Sequence, residues 1–137
     1  MARIFFSLLT TTVILSACVP RQTGMMAFAD GQQQHSVIAE DIRWQPCPPT
    51  IPKGCQMAIL EGDPRQPDLF TVRFRLSEQF IMTPHTHPKD ERVTILSGEV
   101  RVAFGLGATR QDAALFRDGD YYVNAPDAIH SVWIDRE

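Results

Sequence analysis

The sequence predicts an all-β domain, a sandwich or barrel of short strands. Three observations point there. Residues 69–76 alternate, with Phe70, Val72, Phe74 and Leu76 on one face and Thr71, Arg73 and Arg75 on the other, the period of a strand with one buried face. Residues 91–96 and 99–104 flank Ser97-Gly98, a tight hairpin signal. Beyond the N-terminal apolar run no segment keeps a helical period, and glycine and proline turns divide the rest.

Taken in order, the chain starts with Arg3, an apolar run from Ile4 to Leu15, and the small residues Ser16 and Ala17 before Cys18. A positive start, a short apolar core and small residues before a cut make a secretory signal, too short to span a membrane permanently. Residues 1–17 are therefore expected to be removed. Leu15-Ser16-Ala17-Cys18 resembles the lipobox of bacterial lipoproteins. That resemblance implies a diacylglycerol on the Cys18 thiol and an N-terminal Cys18 after cleavage. More than one acyl chain anchors a protein stably, whereas a single chain does not. Val19 stands where an inner-membrane retention aspartate would be, so the outer membrane is the expected address. Ordinary secretion, with Cys18 merely near the cut, is the alternative.

Residues 18–36 are polar and glycine-containing apart from Met25, Met26 and Phe28. They predict a tether whose ends lie roughly 20–25 Å apart as a flexible coil. A first strand or short helix packed on the barrel is the alternative. His35 follows Gln32, Gln33 and Gln34 and is expected to be linker. The folded domain is then residues 37–137, one domain for a chain of 137 residues.

Within it, Cys47 and Cys55 flank Pro48, Pro49, Pro52 and Gly54. An oxidising compartment predicts a disulfide between them, with two unpaired thiols as the alternative. Arg73 and Arg75 of the alternating strand are expected on a solvated outer face, with contact to an anionic ligand as the alternative. Gly98 suits a turn that needs positive φ. Residues 105–112 are a loop, and residues 121–124 and 129–134 are further strands.

Charge excludes some partners. Lys and Arg total 13 against 16 Asp and Glu, a net charge of −3. Losing residues 1–17 removes Arg3 and no acid. With no basic run, nucleic-acid binding is not expected, and contact with the membrane is expected only through the N-terminal lipid.

The chemistry concentrates in three of the four histidines. His85 and His87 are strand neighbours at i and i+2, side chains on one face roughly 6–7 Å apart. Glu91 offers an oxygen, and His130 a third nitrogen from a distant strand. Three nitrogens and one carboxylate oxygen suit a first-row divalent metal with positions left open.

At these residues the chain resembles the cupin superfamily. His85-x-His87-x3-Glu91-x6-Gly98 matches the whole of the family's first motif, H-x-H, three or four residues, E, six residues, G. The second motif, G-x5-P-x-G-x2-H, is kept in overall spacing from Gly119 to His130, but Pro126 falls one place late and Asp127 replaces the internal glycine. From Trp44 to Trp133 the chain looks like a small single-domain bacterial cupin. The resemblance implies a jelly-roll (double-stranded β-helix) barrel and a metal held by His85, His87, Glu91 and His130. Iron, manganese and zinc lead as identities, and nickel and copper also accept such ligands. It implies a small organic ligand or substrate, handled by an oxygenase, isomerase or hydrolase, or bound without turnover. Phe80, Met82, Val93, Tyr121 and Trp133 are expected to line the pocket, with Glu91 or a tyrosine as any base. Only seven residues follow His130, fewer than cupins commonly have. The barrel is expected to close with fewer strands or to borrow an edge from a partner, with a truncated sequence as the third alternative, and a homodimer would cover an open edge.

Overall fold

The computed structural model describes residue 28 and residues 30–137. The expected signal peptide, Cys18 and most of the tether lie outside the described residues. Nine strands are present among the described residues: β1 (Gln45–Pro46), β2 (Cys55–Glu61), β3 (Thr71–Leu76), β4 (Ile81–His85), β5 (Glu91–Thr94), β6 (Glu99–Phe104), β7 (Ala114–Arg117), β8 (Tyr121–Asn124) and β9 (His130–Arg136). The only helical turns among them are two three-residue 3-10 turns, Ala39–Asp41 and Arg110–Asp112. The all-β expectation holds.

The strands form three sheets in the orders β1-β2-β3, β4-β9-β6-β7 and β5-β8. All pairings are antiparallel. In the largest sheet Val100 faces Ile134 and Val102 faces Val132. Met82 of β4 also pairs with Val132. These branched and flexible apolar side chains pack side by side because alternate residues of a strand share a face. Val102, Ala103 and Ile134 are buried here, and Met57, Ala58, Phe80 and Ile95 complete the core.

β9 contains the last histidine and nearly all the residues after it, and it lies between β4 and β6. The short C-terminal stretch is thus a central strand rather than an open edge.

Two expectations about β-structure need correction. β5 and β6 do not pair across Ser97-Gly98. β5 pairs with β8, and β6 with β7 and β9. The chain crosses between sheets there, and Gly98 has φ +91. A Cβ at Gly98 would stand 2.3 Å from the Arg136 carbonyl oxygen, so close backbone packing also demands glycine. A turn dipeptide between two apolar runs fixes a reversal but does not choose the partner strand.

The second correction concerns β3. Its alternation is real, yet Phe70 and Phe74 remain more than 40% exposed. All six β3 residues border one large cavity, which leaves the apolar face of β3 open. Arg75 lies over the Trp44 ring at 3.9 Å. Arg73 is half-buried in the cavity wall rather than on a solvated outer face.

Cys47 and Cys55 are joined as a disulfide, closing the proline-rich loop that brings β1 beside β2. His35, expected as free linker, places its Nε2 2.8 Å from the Leu60 carbonyl of β2. The last part of the tether is therefore fastened to the domain.

Candidate metal centre

Three strand ends build the site. β4 ends at His85, β9 begins at His130, and the two residues are register partners. A register irregularity between Met82 and His85 turns the end of β4, and the chain continues to His87. Glu91 opens β5 opposite Asn124 of β8.

The imidazole ring centroids are 4.2 Å apart for His85 and His130, 5.0 Å for His85 and His87, and 5.3 Å for His87 and His130. A ligand nitrogen from each of the three lies within 4.8 Å of the others. Glu91 presents Oε1 3.5 Å from His87 Nε2 and Oε2 3.3 Å from His130 Nε2. The structure therefore brings together all four residues singled out from the sequence.

The surroundings fix these side chains. His85 Nδ1 is 3.0 Å from the Thr83 carbonyl, and His130 Nδ1 is 2.9 Å from the Ala128 carbonyl. A carbonyl oxygen only accepts, so each Nδ1 donates. When the ring is neutral, its Nε2 then keeps a lone pair for a ligand. Burial pushes the His85 pKa down. The Thr83 hydrogen bond and Glu91 oppose this, and the charges of His130 and His87 add to it. Asn124 is 2% exposed and donates its amide to Glu91 Oε2 at 2.8 Å, orienting the carboxylate.

A metal fits this arrangement. The Nε2 atoms of His87 and His130 are buried and have no hydrogen-bond partner among the described residues. Two convergent buried nitrogens without partners cost free energy, and a cation shared between them would remove that cost.

The turn before His130 keeps the geometry that its altered motif left in doubt. Gly119, at φ +86, turns β7 into β8. Asp127 has φ +60, the left-handed conformation that the family's glycine would take without strain. Aspartate tolerates this region better than most residues. The Asp127 backbone N–H donates to the His87 carbonyl at 2.8 Å, tying the turn to the loop that carries the second histidine.

A cavity of about 690 Å³ opens beside the ligands. Phe80, Met82 and Val93 line it as expected. Tyr121 does not: it is 55% exposed, and its neighbour Tyr122 lines the cavity instead. Trp133 stands out of phase with Val132, Ile134 and Arg136, the β9 residues in the wall. Burial, with the charge of Glu91 adding to it, pushes the Tyr122 phenol well up, so it stays protonated at neutral pH.

Asn124 and Tyr122 were not picked out from sequence as parts of the site, and Arg73 was set on the outer face in preference to contact with an anionic ligand. An asparagine in phase with a tyrosine on one strand was the available signal for the first two, because a polar residue on an inward face needs a buried partner.

Comparison with known proteins agrees with this fold. A family model described as the ChrR cupin-like domain matches residues 32–137. The chain belongs to this cupin family. KdgF from a Halomonas species, as a solved structure, superposes with a TM-score of 0.54 at 21% identity, over 71% of this chain and 78% of that one. At that identity the likeness speaks for the fold alone. No curated protein matches the chain. The chain is thus a cupin whose histidine cluster has the spacing to hold a metal ion.

Proposed function

We propose that this cupin is tethered to the bacterial envelope through a lipid on Cys18 and acts on a small organic molecule. His85, His87, Glu91 and His130 hold one divalent transition metal, with iron, manganese and zinc leading. The observation that carries this is the pair of buried, unpartnered Nε2 atoms of His87 and His130 beside Glu91. A divalent metal held there supplies Lewis acidity toward a carbonyl or a water molecule.

The chain's own groups do the rest. The Thr83 and Ala128 carbonyls hold two imidazoles with Nε2 toward the centre, and Asn124 holds Glu91. Met82, Val93, Val132 and Ile134 make an apolar wall that excludes water and holds an organic ligand. Protonated Tyr122 can donate a hydrogen bond to a substrate oxygen. The reaction is of the oxygenase, isomerase or hydrolase type. Turnover of a small-molecule panel by the exported protein, abolished in His87→Ala with strand content retained, tests this reading.

A second reading is a binding module without turnover. It is favoured by the commitment of the wall's acid–base groups: Glu91 accepts a hydrogen bond from Asn124 and lies beside two histidines, and Tyr122 stays protonated. Tight ligand binding with no product would decide for it. The tether is tested separately by Cys18→Ala, which should move the protein from the membrane fraction to the soluble periplasm.

A further inference from the structure

We propose that Arg73 makes the cavity selective for small organic molecules that carry a carboxylate. The inference rests on the small-molecule reading of the site and names its ligand class.

The cavity is charged against the sign of the chain. Arg73, Arg75, Arg92 and Arg136 line it, with Glu91 and Glu137 as the acids among the lining residues, while the chain as a whole carries −3. Three of these arginines are engaged. Arg75 lies over Trp44 at 3.9 Å, Arg92 pairs with Asp90, and Arg136 is 3.7 Å from Glu99. Arg73 is half-buried and has no ion pair or hydrogen bond among the described residues. Glu91 faces His87, His130 and Asn124.

A guanidinium is charged at every physiological pH and offers its donors as a rigid planar fork. Partial burial without a counter-charge is unfavourable. A ligand carboxylate supplies two coplanar oxygens that fit the fork side by side. Apolar side chains elsewhere in the cavity lining (Phe80, Met82, Val93, Ile134) take the organic remainder. A neutral ligand would leave the Arg73 charge unpaired. One guanidinium fork covers two oxygens of a phosphate dianion and leaves the others without a charged donor.

The test is calorimetric titration of the exported protein, metal-loaded and metal-stripped, with acetate, benzoate and phenylacetate, each against its amide, and with inorganic phosphate. The carboxylates should bind about tenfold or more tightly than their amides in both forms of the protein. Arg73→Gln should bring the ratio to about one, and Arg73→Lys should retain part of it, since a point charge without the fork still attracts the anion. Circular dichroism confirms that both variants fold. A carboxylate preference that survives Arg73→Gln, or that vanishes on metal removal, overturns the proposal by assigning the anion to the metal. Phosphate binding as tightly as benzoate also overturns it. Amides that bind as well as carboxylates overturn the Arg73 assignment while leaving the small-molecule reading standing. No binding of any probe to either form overturns both.

Discussion

His85 and His130 face each other as register partners across β4 and β9, with ring centroids 4.2 Å apart. Each gives its Nδ1 to the carbonyl two residues before it. The same local device at two strand ends therefore presents two Nε2 atoms to one point. Glu91 completes the arrangement from another sheet, and its own orientation depends on Asn124.

That dependence gives the first prediction. Asn124→Ala should lower metal affinity by roughly 10–100-fold, the usual effect of removing a group that orients a ligand. Val123→Ala, one residue away on the exposed phase of β8, should leave affinity unchanged. Competition with a chromophoric chelator measures both.

Gly98 carries two constraints, and Gly105 one. Both have positive φ, but a Cβ at Gly98 meets the Arg136 carbonyl, whereas a Cβ at Gly105 meets nothing within 4 Å. Gly105→Ala should cost about 1–2 kcal/mol from backbone strain alone. Gly98→Ala should cost clearly more, because the C-terminal strand must also move. Urea denaturation of the two variants separates the effects.

Asp135 sets part of the acid sensitivity. It accepts from Arg101 Nε at 2.5 Å and from Arg110 Nη2 at 2.5 Å. Desolvation pushes its carboxyl up, but the two guanidiniums outweigh this and hold it below the ordinary 3.8. A depressed carboxyl pKa favours the folded state above the unfolded value, and this is lost as pH falls through the folded one. Asp135→Asn should therefore be less stable than the parent at pH 7, and the difference should shrink as pH falls below about 4. Thermal melts from pH 7 to pH 3 test the convergence.

The Cys47–Cys55 disulfide closes a short loop, worth about 2–3 kcal/mol in the chain-entropy picture. The double variant Cys47→Ser/Cys55→Ser should lose about that much in denaturant titration. The reduced parent should lose a similar amount.

Much of this was legible in the residues. Period-two alternation marked β3, and the four ligands stood out because a motif spaces them with few other histidines present. What failed was long-range. Ser97-Gly98 announces a turn but not that β5 will pair with β8, because pairing is decided by which apolar faces meet in the whole barrel. Tyr121 and Tyr122 are indistinguishable by composition. Only the register with Glu91 and Val93 settles which one faces the cavity. Arg73 looked solvated because alternation assigns a face but does not say what borders it. Asp127 in the glycine's place was a mismatch in sequence, yet its φ of +60 preserves the turn.

The central claim is that the three histidines and Glu91 hold a metal, and metal content tests it most directly. The protein starting at residue 19, exported through a cleavable signal, should be purified from the periplasm without a histidine tag. Elemental analysis should find close to one equivalent of a divalent transition metal, lost in the double variant His85→Ala/His87→Ala. A folded parent protein that neither contains nor takes up iron, manganese or zinc would contradict the account.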